Sequence, residues 1–245
     1  EFRRVLFRSI YFCHENPETL TIESEIVEAR HGRVRLARSP FYPGGGGQLA
    51  DRGAIRWSGG EVAVSGFDMA EGHLWHLLAA PVEVSGTVEV AVDPEFRQMQ
   101  RELHTALHIV NALAFQGFDG ALVTGAQMND DGTARIDCDL PGADNDKLRA
   151  FEPMINDAIK QDLRVNTYYV DFEAAQEEKG LLRSRSVTPP PTDDGKVRIV
   201  EIVGLDRQAC GGTHLSSTGN SRPIRILKVE NKGRHNRRIR IGFGS

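Results

Sequence analysis

Cysteine is the scarcest informative residue in this 245-residue chain, and Cys13, Cys138 and Cys210 form an odd, widely spaced set. That pattern excludes the disulfide framework that staples small secreted domains; it fits a reducing compartment in which each cysteine is read on its own. Long apolar runs are missing too. No stretch approaches the roughly 20 uninterrupted apolar residues needed to cross a bilayer, and no charged segment followed by a short apolar core opens the chain. A cytoplasmic location with no membrane partner is therefore expected. An initiator methionine is also lacking. The opening Glu1–Ser9 stretch fits poorly with the rest of the chain and is read as a sequence artefact outside the functional protein.

Strong net charge is absent as well. The formal charge of -4 does not by itself suggest a nucleic-acid partner. The average conceals a basic C-terminal segment, because between Arg222 and Arg240 stand eight Lys or Arg against the single acid Glu230. Its plain alternative is a solvated surface strand with scattered charge. With 40% apolar residues, a chain of this length can build two small domains, each with its own core.

From about Ile10 to Val92, short segments rich in β-branched residues alternate with turn signals. Thr19–Glu28, Arg33–Leu36, Ala54–Trp57, Glu61–Phe67 and Thr87–Val92 are predicted strands, punctuated by His31-Gly32, Gly59-Gly60 and Glu71-Gly72. Residues 10–92 are thus expected to form a small β-barrel. Residues 93–245 obey a different pattern. Asp93 suits an N-cap and Pro94 a first helical turn, and Phe96, Met99, Leu103, Leu107, Val110 and Ala114 recur at helical spacing. These features predict an amphipathic helix over Asp93–Phe115. A second helix is predicted over Asn145–Gln161, interrupted or kinked at Pro153, and strands over Asn166–Phe172, Val197–Ile202, Ile224–Val229 and Ile239–Phe243. Ser184–Asp194, with three consecutive prolines, reads as a loop. The second half is therefore expected to be α+β with a largely antiparallel sheet.

Two pairs of residues carry metal chemistry. His104 and His108 lie one helical turn apart on the same face, so their imidazoles can converge on one ion, although two surface histidines would give the same spacing. Cys210-Gly211-Gly212-Thr213-His214 adds a thiolate and a third imidazole on a loop whose glycines let it fold tightly; a buried cysteine beside a plain turn is the bland alternative. Together the pairs make a His3Cys set suited to Zn2+. Four protein ligands point to a structural ion, whereas a catalytic one normally keeps a position for water.

A glycine-rich loop, Phe41-Tyr42-Pro43-Gly44-Gly45-Gly46-Gly47-Gln48, precedes Leu49-Ala50-Asp51-Arg52-Gly53. Its backbone N–H groups could hold a carbonyl, hydroxyl or phosphate, or it could be a simple hairpin connection. It is no P-loop, since no Gly-Lys-Ser/Thr comes after it, and no dinucleotide fingerprint, since no strand-loop-helix context surrounds it.

In this order the motifs resemble the alanyl-tRNA editing proteins, both free-standing and as the editing domain of alanyl-tRNA synthetase. The resemblance rests on the Phe41–Gln48 and Asp51–Gly53 segments, the helical His104 and His108, the Cys210–His214 motif, and the closing Lys232-Gly233-Arg234 with Arg237-Arg238. It runs from about Ile10 to Phe243. It implies a small N-terminal barrel packed on a zinc-binding α+β domain, with the 3′ end of a charged tRNA in the cleft between them. The implied activity is hydrolysis, in trans, of the ester in tRNA(Ala) mischarged with serine or glycine. Zinc would be held by His104, His108, Cys210 and His214; Gly45, Gly46, Gly47 and Gln48 would position the ester; Lys232, Arg234, Arg237 and Arg238, with Lys228 and Arg240, would contact phosphates. Asp51 is either a turn residue or a ligand to the substrate amino group, and Thr213 a brace within the metal loop. Many members carry a threonine where this chain has Gly44, so Gln48, Thr105 or Gln127 would have to read the serine hydroxyl. The competing readings are a non-catalytic tRNA-binding module with a structural zinc, or another zinc-dependent ester hydrolase, the latter disfavoured because no His-Glu-x-x-His occurs. A monomer is expected.

Overall fold

The computed structural model describes residues 11–184 and 189–244. Glu1–Ser9 and part of the Ser184–Asp194 loop lie outside the described residues. The chain divides into two compact units, one containing Ala50–Gln98 and the chain before Gly45, the other formed by Gly45–Leu49 with Met99–Ser245.

The first unit begins with a short helix α1 (Phe12–Glu15), followed by β1 (Thr21–Arg30), β2 (Arg33–Leu36), β3 (Gly53–Trp57), β4 (Gly60–Ala70), β5 (His73–Leu78) and β6 (Gly86–Val92). These six strands close into an antiparallel barrel of order β1-β2-β5-β4-β3-β6. The alternation that predicted the strands is what fills it: Val88, Val90 and Val92 on β6 point inward beside Ile22 of β1 and Ile55 of β3, while their neighbours face out. Strand β5 lacks that signature. Its adjacent Trp75 and His76 are both buried, so period 2 breaks just where the sequence would have to reveal it. Gly53 opens β3 where a Cβ would lie 2.0 Å from the Ala91 carbonyl oxygen, so only glycine admits the close approach to β6.

Helix α2 (Pro94–Gly117) is capped by Asp93, whose Oδ1 accepts from the backbone N–H groups of Glu95 and Phe96 at 3.0 Å each. An amphipathic helix, as predicted over Asp93–Phe115, ordinarily leaves its polar side in water. Instead, every residue from Arg101 to Ala114 is buried, and its polar side chains find internal partners: Arg101 donates to the His214 carbonyl at 2.6 Å and Asn111 to Gln208 Oε1 at 2.8 Å. Around it come β7 (Leu122–Met128), β8 (Thr133–Asp139), α3 (Asn145–Arg149), α4 (Phe151–Lys160), β9 (Val165–Asp171), α5 (Phe172–Glu177), β10 (Lys196–Ile202), β11 (Asp206–Ala209), β12 (Ile224–Lys232) and β13 (Asn236–Phe243). The strands form an antiparallel four-stranded sheet, β12-β13-β8-β7, and a three-stranded sheet, β11-β10-β9. Leu103, Leu107 and Val110 of α2 share one core with Ile136, Ile239 and Ile241 of the larger sheet and Val200 and Ile202 of the smaller. The expected helix over 145–161 is two helices, and the break falls at Ala150 rather than at Pro153. Pro153 sits in the first turn of α4, where a missing N–H leaves no hydrogen bond unmade. The mixed α and antiparallel β architecture agrees with the sequence reading. Among the described residues no helix is long and apolar enough to cross a membrane.

Candidate metal centre and glycine loop

His104, His108, Cys210 and His214 meet in the second unit, all buried, with one potential ligand atom from each lying within 4.8 Å of every other. Cys210 Sγ stands 3.4 Å from His104 Nε2 and 3.3 Å from His214 Nε2. A tetrahedral ion with bonds of about 2.0–2.3 Å would separate its ligand atoms by about 3.3–3.8 Å, so the donor set fits one ion. The helix supplies two imidazoles one turn apart; the chain leaving β11 supplies the thiolate and the third. Gly212 is indispensable to that loop. A Cβ there would lie 2.1 Å from His104 Cε1 and 2.7 Å from Gln48 Oε1. Arg198, buried on β10, clamps the same loop by donating from Nη1 to the carbonyls of Cys210 (2.9 Å) and Gly212 (2.8 Å).

The electrostatics distinguish Cys210 from Cys138. Burial pushes the Cys138 thiol up to about 12, so it stays a plain apolar core group. Burial alone would raise Cys210 as well, but His104, His108 and His214 outweigh it and hold the thiol well below its ordinary range. His108, which burial would lower, is raised to about 9 chiefly by Cys210 and Asp206. The thiol is thus kept in the ionised form that binds metal.

Each imidazole uses Nδ1 to face a second residue. His104 Nδ1 lies 3.0 Å from Gln48 Oε1, His214 Nδ1 lies 3.3 Å from Thr105 Oγ1, and His108 Nδ1 lies 3.3 Å from Asp206 Oδ2. Gln48 reaches into the cluster from the glycine loop: its Nε2 donates to Thr213 Oγ1 at 2.7 Å, and its Oε1 accepts from the Thr213 backbone at 2.8 Å. Its side chain is therefore committed to the metal loop. Gly44 to Gly47 all adopt positive φ, from 62° to 127°, which only glycine sustains in series. Gly45 and Gln48 exchange backbone hydrogen bonds of 3.1 and 3.0 Å, and the Gly47 carbonyl accepts from Met128 of β7 at 2.8 Å. A Cβ on Gly47 would lie 2.4 Å from the Ala126 carbonyl oxygen, so the loop is docked on β7 and leaves Gly45 and Gly46 exposed.

Asp51 belongs to the first unit and is spoken for. Buried, it accepts from the Tyr42 backbone at 2.5 Å and from Arg97 Nε at 2.8 Å, with a second bond from Arg97 Nη2, which also donates to the Pro40 carbonyl. Of the basic residues, Arg238 is paired bidentately with Asp137 at 2.7 and 2.8 Å, and Arg237 is buried and donates to the Ala143 carbonyl. Lys228 and Arg240 share Glu230, and its carboxyl is held down to about 2 chiefly by Arg240 and then Lys228. Lys232 and Arg234 differ. They sit exposed at the tip of the β12–β13 hairpin, and no ion pair among the described residues engages them. Gln127 faces Arg135, its Oε1 accepting from Nη2 at 3.1 Å.

The sequence reading missed Asp206, Gln208, Arg198 and Arg97. The first two had a faint signal, since Asp206, Gln208 and Cys210 alternate in period 2, but β11 is only four residues long.

Residues 197–240 match the family model described as the threonyl and alanyl tRNA synthetase second additional domain, and residues 13–96 match that of class II (A) tRNA synthetases. The chain is 31% identical to the alanyl-tRNA editing protein AlaX-M of Methanosarcina mazei over 94% of each protein, and 34% identical to that of Methanosarcina barkeri over 94% of this chain and 96% of the relative. The chain belongs to the alanyl-tRNA editing family. It is also 36% identical to the alanine--tRNA ligase of Methanopyrus kandleri over 86% of its length, but spans only 23% of that larger enzyme. The family thus includes both free-standing proteins of this size and a segment of the ligase.

Proposed function

We propose that this protein is a trans-editing hydrolase that cleaves the aminoacyl ester of tRNA(Ala) mischarged with serine or glycine. The observation that carries the reading is the side chain of Gln48, which joins the glycine loop to the His3Cys cluster within one folded unit. A loop able to hold an ester and a buried metal-binding motif are thereby fixed to each other, as editing chemistry requires.

In this reading His104, His108, Cys210 and His214 hold zinc, favoured by the mixed thiolate and imidazole donors. With four protein ligands, the ion would supply a fixed charge that braces the wall of the site. The backbone of Gly45, Gly46 and Gly47 holds the ester, and the N–H groups of Gly46 and Gly47, that of Gly45 being given to the Gln48 carbonyl, are the preorganised donors that stabilise the oxygen as the carbonyl carbon is attacked by water. Gln48 acts from behind this loop, setting its distance from His104. An aminoacyl ester is already activated, so orienting it is a large part of the task.

Gly44 bears on specificity. Its φ of 89° and a Cβ position 3.0 Å from the Ala50 nitrogen leave no unstrained place for a threonine. Serine recognition must then come from another group, among which Thr105 is engaged by His214 and the Leu215 backbone, and Gln127 by Arg135. Phosphate contacts fall to Lys232 and Arg234 first, because Arg237 and Arg238 are committed to the fold. Incubation with Ser-tRNA(Ala), Gly-tRNA(Ala) and Ala-tRNA(Ala) tests the proposal. Loss of the serine or glycine ester with the alanine ester spared is expected. Binding without turnover would replace it with a non-catalytic tRNA-binding module, the outcome Gly44 would favour.

A further inference from the structure

We propose that Asp206 is the positioning residue of the metal centre: it selects the tautomer of His108 that can bind the ion, and among the described residues it is the one charged group that does so. The inference rests on the zinc-binding reading of the cluster and adds a residue to it.

An imidazole that ligates through Nε2 must carry its proton on Nδ1, and that proton needs an acceptor. For His104 and His214 the acceptors are neutral oxygens, Gln48 Oε1 and Thr105 Oγ1. His108 stands between two rivals. Gln208 Nε2, a donor only, lies 3.2 Å from its Nδ1, and Asp206 Oδ2, an acceptor only, lies 3.3 Å away. Were Gln208 to donate to a bare Nδ1, the proton would move to Nε2 and block the ion. Asp206 decides the contest. Its carboxylate offers the ring nitrogen a charged acceptor, and its Oδ2 also takes a hydrogen from Gln208 Nε2 at 2.7 Å, which ties up one of that amide's two N–H groups. Its Oδ1 accepts from Arg183 Nη1 at 2.7 Å, and the Arg183 guanidinium lies 4.0 Å over the Phe115 ring. The carboxylate is therefore buried, anchored from behind and aimed at one nitrogen.

The backbone explains why this residue is available. Asp206, Gln208 and Cys210 alternate along β11 and its exit, so one short strand presents the thiolate ligand and, on the same face, the carboxylate that orients a ligand from α2. The Arg183 side chain also donates from Nε to the Gly180 carbonyl at 2.6 Å and from Nη2 to the Arg207 carbonyl at 3.4 Å, so this anchor has a structural role that can be separated from the metal role.

The experiment measures the zinc dissociation constant of the full chain by chelator competition. Asp206→Asn, which keeps the shape but offers the ring a second donor, is expected to weaken zinc binding about 10–100-fold. Arg183→Gln, which loosens the anchor but leaves the carboxylate on His108, is expected to lower thermal stability with a much smaller change in zinc affinity. Equal affinities for wild type and D206N, within about threefold, would overturn the inference while leaving the metal reading intact; wild-type protein that takes up no zinc would overturn the metal reading, and this one with it. If D206N does not fold, proton NMR of zinc-loaded wild type decides. The Nδ1–H of His108 is expected furthest downfield and slowest to exchange of the three imidazoles, since its acceptor alone is charged; three indistinguishable protons refute the proposal.

Discussion

Replacing Asp51 by alanine separates the two roles its sequence context allows. In the first unit, Asp51 and Arg97 are both almost fully buried, with side-chain exposures of 0% and 1%, and they are joined by two hydrogen bonds, with a further bond to the Tyr42 backbone. Removing the carboxylate leaves a guanidinium that cannot reach water and is only partly satisfied by the Pro40 carbonyl. Breaking a buried pair in this way costs about 3–5 kcal/mol, a large part of the roughly 5–15 kcal/mol that stabilises a typical domain. The assay is convenient because both tryptophans, Trp57 and Trp75, lie in the barrel unit. Urea unfolding followed by tryptophan fluorescence therefore reports the unit that contains the pair. Asp51→Ala should lower stability by that amount, and the double variant Asp51→Leu with Arg97→Met should cost less than Asp51→Ala alone, since no charge is stranded. An Asp51→Ala protein that unfolds at the wild-type urea concentration yet loses deacylation would refute the reasoning and return Asp51 to the substrate amino group.

Other outcomes rest on the same kind of contact. Burial lowers His76 to about 4 from its ordinary 6.5, so the folded barrel keeps it neutral while the unfolded chain takes a proton; stability should fall by about 3 kcal/mol as pH drops from about 6.5 to 4, stay flat above 6.5, and lose that dependence in His76→Gln. A tryptophan-monitored melt that is unchanged across this window would contradict it. Gly212→Ala drives a Cβ into His104, so metal analysis should find less than one zinc per chain, as also for Cys210→Ala and His108→Ala; full zinc in all three would refute the ligand set. Lys232→Gln with Arg234→Gln should reduce the salt dependence of tRNA binding by about two phosphate contacts, whereas Arg238→Gln should act mainly on stability, because it removes one of the two guanidinium partners, Arg238 and Arg135, of the mostly buried Asp137 within the sheet.

Much of the barrel and of the His3Cys cluster is legible because short-range rules govern them. Period-2 runs such as Thr87–Val92 and the helical spacing of His104 and His108 survive in the folded unit unchanged. What the sequence hides is set by tertiary contact. Strand β5 packs two adjacent residues inward, β8 turns the small Ala134 and Cys138 inward on either side of Ile136, and α2 is covered on its polar side by the Cys210–His214 loop, which no pattern within the helix announces. Roles shift for the same reason. Gln48 reads as a substrate donor because it comes after four glycines, yet its amide is turned onto Thr213 and His104; Arg238 reads as a phosphate ligand until Asp137 is found opposite it across the β8–β13 pairing. Asp206 and Arg198 leave almost no trace, since a carboxylate or guanidinium aimed at a loop is indistinguishable, in one dimension, from one aimed at water.

The editing reading stands or falls on the ratio of kcat/KM for Ser-tRNA(Ala) over Ala-tRNA(Ala), measured with the protein well below the tRNA concentration. Many turnovers of the serine ester and a ratio of at least about 10² are expected, the level at which recognition of one hydroxyl becomes useful. No turnover of the serine ester above its spontaneous hydrolysis, or equal rates for both esters, would contradict it.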